Sequence, residues 1–311
     1  MRNVVREMKS RRLAASENRP AGRRPVGKVR KPCETAFGRP RNRLGNRHVY
    51  AVISQRARGL SIGVNLNPDQ RCSFDCAYCE VDRDTPGRKR NVDVKAMATE
   101  LERLLTLHHE GRLGELDWFR NLPPELLELK EVALSGDGEP TLCPNFDEVV
   151  REVLYLRSRR KVPFFKTVLI TNGTGLDSSH VAAGLDLLCQ QDEVWIKLDA
   201  GTQEYFEKVN RSTVPLWRIL ANILAVSKKR PVIIQSLFPL LNGQEPPGEE
   251  IEQYVRRLQE LKAAGAQVSM VQVYSAHRPS HRPNCEHLAL QSLSRIAQQV
   301  RKVAGFRAEV F

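Results

Sequence analysis

Apolar segments with two different periods alternate along the chain from residue 60 to residue 303. Short runs typical of buried β-strands are each followed by a longer segment whose apolar residues recur at helical spacing. The pattern predicts strands at residues 60–66, 131–135, 167–171, 193–198, 231–238 and 267–274. It predicts helices at residues 92–109, 146–161, 178–190, 217–229, 249–264 and 288–303.

Six strands that alternate with helices indicate an α/β fold. Right-handed crossovers between successive strands make the sheet parallel, and they gather the loops that follow the strands at one edge. We therefore expect the functional residues at the carboxyl ends of the predicted strands.

Three cysteines lie close together directly after the first predicted strand: Cys72, Cys76 and Cys79. Thiolates are soft anionic ligands, and three on one loop can each bind a different iron of a [4Fe-4S] cluster while the fourth iron stays open. A structural zinc site is the alternative, because a fourth, remote Cys or His would complete a tetrahedral shell. Zinc knuckles usually pair two such motifs, and the sequence shows no second one.

The other cysteines are scattered singly, and each is interpreted as a packed or incidental thiol: Cys33, Cys143, Cys189 and Cys285. The total of seven is odd, which disfavours a framework of disulfides. The sequence shows neither a secretory signal nor a long apolar segment. We expect a protein of the reducing cytoplasm with no membrane association.

The spacing C-x3-C-x2-C, with the aromatic Tyr78 before the last cysteine, resembles the signature of the radical S-adenosylmethionine (radical SAM) superfamily. The resemblance implies an enzyme with an incomplete (β/α)6 TIM-like barrel over residues 49–311. It also implies that a [4Fe-4S] cluster on the three cysteines reductively cleaves S-adenosylmethionine (SAM), and that the resulting 5′-deoxyadenosyl radical abstracts hydrogen from a substrate. Within the superfamily the chain is similar to the iron-sulfur oxidoreductase group that includes the wyosine-type tRNA-modifying enzymes.

The second predicted strand runs into the sequence Ser-Gly-Asp-Gly-Glu-Pro. Gly136 and Gly138 allow the backbone to approach a ligand closely, and Glu139 can accept a hydrogen bond from an ammonium group. Taken by itself, the segment is also typical of a turn. It resembles the Gly-Gly-Glu motif that holds the methionyl amino group of SAM in the superfamily, with Asp137 as an inserted residue.

Further candidates for cofactor binding follow the third and fourth predicted strands. Asn172 offers both a donor and an acceptor to a ribose hydroxyl or a carboxylate, although an Asn-Gly pair is also typical of a plain turn. Lys197 and Asp199 are two residues apart, so they project to one side of their strand. An ion pair in an apolar strand is costly unless a ligand or the partner compensates it, which favours a role in the site.

Polar residues on the last two predicted strands are candidates for substrate contact. Gln235 and Tyr274 lie within apolar runs, and Arg278 follows them. A guanidinium at that position suits a carboxylate or phosphate of a substrate. The alternative for each of the three is a loop residue or a satisfied hydrogen bond in the core.

Residues 1–48 are predicted to form a disordered basic arm, separate from a core domain at residues 49–311. The arm carries 15 lysines and arginines against three acidic residues, whereas the rest of the chain is nearly balanced, with 34 basic and 33 acidic residues. Such an arm can raise affinity for the phosphates of a nucleic acid, so tRNA is a candidate substrate beside a protein or a small molecule.

The chain shows no flavin motif, so an external one-electron donor such as flavodoxin or ferredoxin is implied by the resemblance. The rival hypothesis from another class is a non-catalytic zinc-binding or iron-sulfur RNA-binding module. A module of that kind needs neither six βα units nor Gly138 and Glu139, whereas a SAM enzyme needs both.

Overall fold

The computed structural model describes residues 45–81, 83, 90–277 and 280–311. Among these residues the strands are β1 (Val49–Ser54), β2 (Gly59–Asn65), β3 (Leu129–Ser135), β4 (Thr167–Thr171), β5 (Glu193–Lys197), β6 (Val232–Leu237), β7 (Pro239–Leu241), β8 (Val268–Tyr274), β9 (Cys285–His287) and β10 (Ala308–Val310). The helices are α1 (Val94–His109), α2 (Phe146–Ser158), α3 (Ser179–Asp186), α4 (Gln203–Asn210), α5 (Leu216–Ser227), α6 (Gly248–Ala263) and α7 (Leu290–Gln299), which continues into a π-helical segment at Val300–Ala304.

Within the described part of the chain, the main sheet has the order β1-β2-β3-β4-β5-β6-β8-β10. β1 is antiparallel to β2, and every other neighbouring pair is parallel. The six predicted strands correspond to β2 to β6 and β8, each within two residues at either end. The predicted α/β fold with an incomplete parallel barrel is therefore confirmed.

Sequence periodicity did not reveal the two edge strands or helix α4. β10 has three residues and α4 has eight, so neither is long enough to display a period. The small antiparallel pair of β7 and β9 was missed for the same reason. β1 has six residues that alternate in burial, but it was not distinguished from the segment before the first predicted strand. Most of the predicted arm, residues 1–44, lies outside the described residues.

Apolar residues occupy both faces of the parallel strands, as expected for a sheet with covered faces. Residues such as Leu169 and Ile234 belong to the large core that includes the helices. Trp195, Val168 and Ile233 form a separate cluster on the other face, inside the barrel. Because side chains alternate along a strand, Lys197 faces the same interior as Trp195. No helix among the described residues is both long enough and apolar enough to cross a membrane.

The two edges of the sheet approach each other through side chains. Arg58, in the turn between β1 and β2, lies 2.6 Å from Glu309 of β10 and 5.7 Å from the centroid of the Phe311 ring. Arg56 of the same turn lies over the ring of Tyr274, 4.7 Å from its centroid. These contacts form a seam between the turn and the far edge of the sheet.

A buried ion pair holds the amino ends of β4 and β5. Asp192 accepts two hydrogen bonds from the guanidinium of Arg157, at 2.6 and 3.1 Å, and one from the backbone N–H of Thr167 at 2.8 Å. The Asp192 side chain is fully buried and that of Arg157 nearly so. The pair therefore fixes where both strands enter the barrel.

Replacing Asp192 with alanine should lower the free energy of unfolding by about 3 kcal/mol, because the Arg157 guanidinium would lose its buried partner. Asp177→Ala is the matched control, since Asp177 pairs with Arg218 on the surface and both side chains are about half exposed. That control should cost no more than about 1 kcal/mol in urea-induced unfolding. Equal losses for the two variants would contradict the structural role of Asp192.

Candidate active site

The three motif cysteines lie on the loop after β2 and line one interior cavity of about 700 Å³. Cys76 is buried, and the other two cysteines are partly exposed. The same cavity is lined by most of the other predicted site residues: Tyr78, Gly136, Gly138, Glu139, Asn172, Lys197, Gln235 and Tyr274. The carboxyl ends of the strands thus bring together residues that are far apart in sequence.

Helix α4 holds the cysteine loop in place. The backbone N–H of Asp75 donates to the carbonyl of Asn210 at 3.0 Å, and that of Ala77 donates to the carbonyl of Val209 at 2.8 Å. The rings of Phe74 and Phe206 pack edge to face with centroids 5.3 Å apart. These contacts fix the backbone on both sides of Cys76.

Each cysteine sulfur accepts a hydrogen bond from the protein. The backbone N–H of Phe74 donates to Cys72 Sγ at 3.4 Å, and Asn210 Nδ2 donates to Cys76 Sγ at 3.5 Å. Arg83 Nη1 donates to Cys79 Sγ at 3.2 Å. Donors of this kind stabilise negative charge on sulfur, as an iron-bound thiolate requires.

Burial keeps the thiols of Cys72 and Cys76 neutral in the absence of a cation. It raises the pKa of Cys72 to about 12, with Glu139 and Cys76 adding to the effect, and the pKa of Cys76 to about 11. A bound metal group is the kind of partner that offsets the cost of buried thiolates. Among the described residues no three Cys, His, Asp or Glu side chains form a group that could hold a single metal ion.

The glycine-rich loop after β3 packs directly against the cysteine loop. A Cβ atom on Gly138 would lie 1.8 Å from the carbonyl oxygen of Arg71, so no larger residue fits. The backbone N–H of Glu139 donates to the same carbonyl at 2.9 Å. Asn65 holds Asp137 by accepting from its N–H at 3.0 Å and donating to its carboxylate at 2.7 Å.

The carboxylate of Glu139 is buried and accepts hydrogen bonds from residues at the ends of two strands. Oε1 accepts from the backbone N–H of Thr141 at 3.1 Å and from the hydroxyls of Thr141 and Thr171. Oε2 accepts from the backbone N–H of Asn172 at 2.7 Å. Burial raises the pKa of Glu139, and these hydrogen bonds oppose that rise. Oε2, with one protein donor, has the larger remaining capacity for a ligand.

The predicted pair at the end of β5 is an ion pair. Lys197 Nζ lies 3.5 Å from Asp199 Oδ2 and donates to the hydroxyl of Tyr274 at 3.1 Å. Burial would lower the pKa of Lys197, but Asp199 and Tyr274 raise it above its usual value. Asp199 lies behind the cavity wall, where it accepts hydrogen bonds from Tyr78 and from Asn210 Nδ2.

Asn172 and Gln235 point into the cavity but also bond to the protein. Asn172 Nδ2 donates to Ser73 Oγ at 3.0 Å and lies 3.7 Å from Cys72 Sγ. Gln235 Nε2 donates to Gln272 Oε1 at 2.9 Å. Arg278, the third predicted substrate contact, lies outside the described residues.

Sequence reasoning missed several residues of the site. Asn210 donates to Cys76 and Asp199 from the end of α4, and Arg83 donates to Cys79 from a segment without periodicity. Glu131 on β3 also lines the cavity and is 1% exposed. The position of Glu131, a charged residue at the start of an apolar strand, could have marked it as a site candidate. The sequence did not show, however, that the Glu131 side chain faces the interior.

The carboxyl group of Glu131 has a raised pKa. Burial raises its pKa to about 7, and the hydroxyl of Ser61, which donates to Oε1 at 3.0 Å, opposes the rise together with Lys166 and Arg56. A carboxyl group with a raised pKa in a cleft is typical of functional sites.

The comparison with protein families matches the radical SAM superfamily over residues 66–258, more than half of the chain. The chain therefore belongs to the radical SAM superfamily, whose members are enzymes that use a [4Fe-4S] cluster and SAM. The predicted class and cofactors are confirmed, and the non-catalytic RNA-binding alternative is set aside. The three thiols, their donors and the adjacent glycine-rich loop fit these cofactors.

One relative is the UPF0026 protein slr1464 of Synechocystis, which is 26% identical over 178 residues, or 56% of this chain and 57% of the relative. The matched segment thus spans about half of that curated protein. A radical SAM methyltransferase from Sphaerobacter thermophilus is similar in structure, with a TM-score of 0.59, 15% identity and coverage of 85% of this chain and 68% of that one.

A structure of TYW1 with a lysine-pyruvate adduct is also similar, with a TM-score of 0.51, 17% identity and coverage of 82% and 84% of the two chains. The predicted likeness to wyosine-type enzymes is therefore confirmed at the level of the fold. At these identities the two structures support the barrel architecture and nothing finer.

Gly138→Ala should displace the cysteine loop, because the added methyl group would clash with the backbone of Arg71. We expect a loss of about 2 kcal/mol in the free energy of unfolding. We also expect less iron and sulfide to be retained after anaerobic reconstitution. Gly114→Ala is the control, since a Cβ atom there meets nothing within 4 Å. Normal iron binding by the Gly138 variant would show that the two loops are not tightly coupled.

The raised pKa of Glu131 predicts a pH-dependent stability. An acid whose pKa is higher in the folded state than in the unfolded state stabilises the fold when protonated, and this contribution falls as the pH rises to about 7. Relative to Glu131→Gln, the wild type should therefore lose about 2 to 3 kcal/mol of unfolding free energy between pH 5 and pH 8. A constant difference between the two proteins would mean that Glu131 does not titrate in this range.

Proposed function

We propose that this radical SAM enzyme cleaves SAM reductively and uses the product radical to abstract hydrogen from a substrate. The observation that carries the proposal is the junction of two loops: Cys72, Cys76 and Cys79 share one cavity with Gly138 and Glu139. The direct packing of one loop on the other would hold a metal cluster beside a site for an amino group.

Cys72, Cys76 and Cys79 would hold the cluster, which would supply one electron for the reductive cleavage of SAM. The protein's own contribution is to bind, orient and exclude water. Asn210 and Arg83 stabilise charge on the cysteine sulfurs, and the cluster of Trp195, Val168 and Ile233 gives the interior an apolar surface. A dry interior protects a reactive species from side reactions.

The proposed roles of the remaining residues follow from their free hydrogen-bonding capacity. Glu139 Oε2 would accept from the amino group of SAM, and the backbone of Gly136 and Gly138, which lines the cavity, would lie beside its methionyl part. Asn172, Lys197 and Tyr78 line the cavity where a ribose or carboxylate could bind, and Asp199 would keep Lys197 charged. Gln235, Tyr274 and Arg278 are proposed substrate contacts.

For the substrate we propose three candidate classes: a tRNA, a protein or a small molecule. A tRNA is supported by the basic residues among positions 1–48 and by the fold shared with TYW1. A protein or small-molecule substrate is supported by the wide range of substrates in the superfamily. Wyosine-forming enzymes carry a further set of cysteines upstream, whereas this chain has only Cys33 there. A cytoplasmic location with flavodoxin or ferredoxin as electron donor agrees with this chemistry.

The test is the formation of 5′-deoxyadenosine from SAM after anaerobic reconstitution with iron and sulfide and reduction with dithionite. Wild type should form the product, and Cys76→Ala should form essentially none because one iron ligand is lost. Cys189→Ala is the matched control, since this exposed cysteine lies outside the cavity lining. Wild type that binds SAM and an intact cluster but forms no product, even with candidate substrates added, would contradict the proposal.

A further inference from the structure

Glu131 carries a buried carboxyl oxygen that has no partner among the residues the structure describes. Oε1 accepts from the hydroxyl of Ser61 at 3.0 Å, but Oε2 is fully enclosed and accepts no hydrogen bond from this part of the chain. Such a group costs free energy in the folded state unless something else satisfies it. The residue is part of the lining of the interior cavity, which places it beside a ligand in the cavity.

The two cations near Glu131 have other partners and do not donate a hydrogen bond to Oε2. Lys166 donates to Glu193 at 2.8 Å, and the guanidinium of Arg56 lies on the ring of Tyr274. Both cations influence the carboxyl group electrostatically, yet neither forms a hydrogen bond with it. No described group of the barrel wall therefore satisfies the Oε2 atom of Glu131.

The position of Glu131 separates it from the proposed cofactor site. It faces inward on β3, four residues before Ser135, which corresponds to about 13 Å along the strand from its carboxyl end. The cysteines and Glu139 are located beyond that end. A ligand at Glu131 would therefore occupy a different part of the same cavity.

The chemistry of one free oxygen limits the ligand. A guanidinium is planar and binds best to both oxygens of a carboxylate at once, whereas Oε2 is the Glu131 oxygen that lacks a donor among the described residues. A neutral donor would satisfy the hydrogen bond but would leave the buried charge uncompensated. An ammonium group is compact, carries three donors and supplies the opposite charge.

We propose that Glu131 recognises a substrate that carries a protonated primary amine. The inference rests on the proposed function, because it assigns the substrate class of the same cavity. Binding of the amine places the substrate inside the barrel, at a fixed distance from the cofactor site. The residue is a binding residue and takes no part in the cleavage of SAM.

The test uses n-butylammonium as the probe and n-butanol as its neutral counterpart. Both are titrated by ligand-observed NMR into full-length, anaerobically purified protein at pH 8 without reductant or SAM. The dissociation constant for butylammonium should be at least about tenfold higher for Glu131→Gln than for wild type. Glu128→Gln, the matched control at an exposed glutamate near the start of β3, should stay within about twofold.

A second measurement needs no variant, so the proposal can still be tested if Glu131→Gln does not fold. For wild type, butylammonium should bind at least about fivefold more weakly at pH 5.5 than at pH 8, because protonation removes the charge of Glu131. The charged groups that face it are Arg56, Lys166 and its partner Glu193. Butanol binding should not change with pH.

Three outcomes would overturn the proposal: equal binding of butylammonium by wild type and Glu131→Gln, equal affinity for butanol and butylammonium, or butylammonium binding that does not change with pH. None of these measurements involves cleavage of SAM. Failure to form 5′-deoxyadenosine would therefore refute the proposed function while amine binding at Glu131 could still be observed, whereas failure to select the amine would refute only this inference.

Discussion

The arrangement of the site depends on one buried carboxylate, that of Glu139. Four hydrogen bonds from Thr141, Thr171 and Asn172 satisfy it, and they join the loop after β3 to the end of β4. The preceding residue, Gly138, presses the same loop against the cysteine loop. Because an enclosed carboxylate without donors would cost several kcal/mol, these segments cannot separate independently. The relative positions of the cysteines and the cavity wall follow from that constraint.

The interior of the barrel combines an apolar cluster with a few charged groups. Trp195 and its neighbours exclude water, which strengthens every electrostatic interaction inside. The pair of Lys197 and Asp199 is poor evidence for stability in such a setting, since apolar residues of similar size would often serve as well. Its location at the end of β5, where both side chains contact Tyr78 of the cysteine loop, agrees with the proposed role in binding charged ligands.

The sequence was sufficient to predict the parallel strands and the cysteine motif, and it was insufficient for the contacts that support them. Buried parallel strands are continuous apolar runs, and the spacing of three cysteines is local information. Asn210 shows the limit, because its role depends on a short helix that packs against residues more than 120 positions away. Glu131 shows a second limit: it begins a predicted strand, but only the register with Ser61 on β2 shows that it faces inward.

The seam between the turn after β1 and the edge strand β10 is the weakest connection around the barrel. Elsewhere in the sheet, backbone hydrogen bonds join each strand to the next, whereas Arg58 and Glu309 meet only as side chains. The Arg58 side chain is 70% exposed, so the ion pair contributes about 1 kcal/mol at most and weakens with added salt. Opening the barrel at this seam therefore requires less free energy than separating any two paired strands.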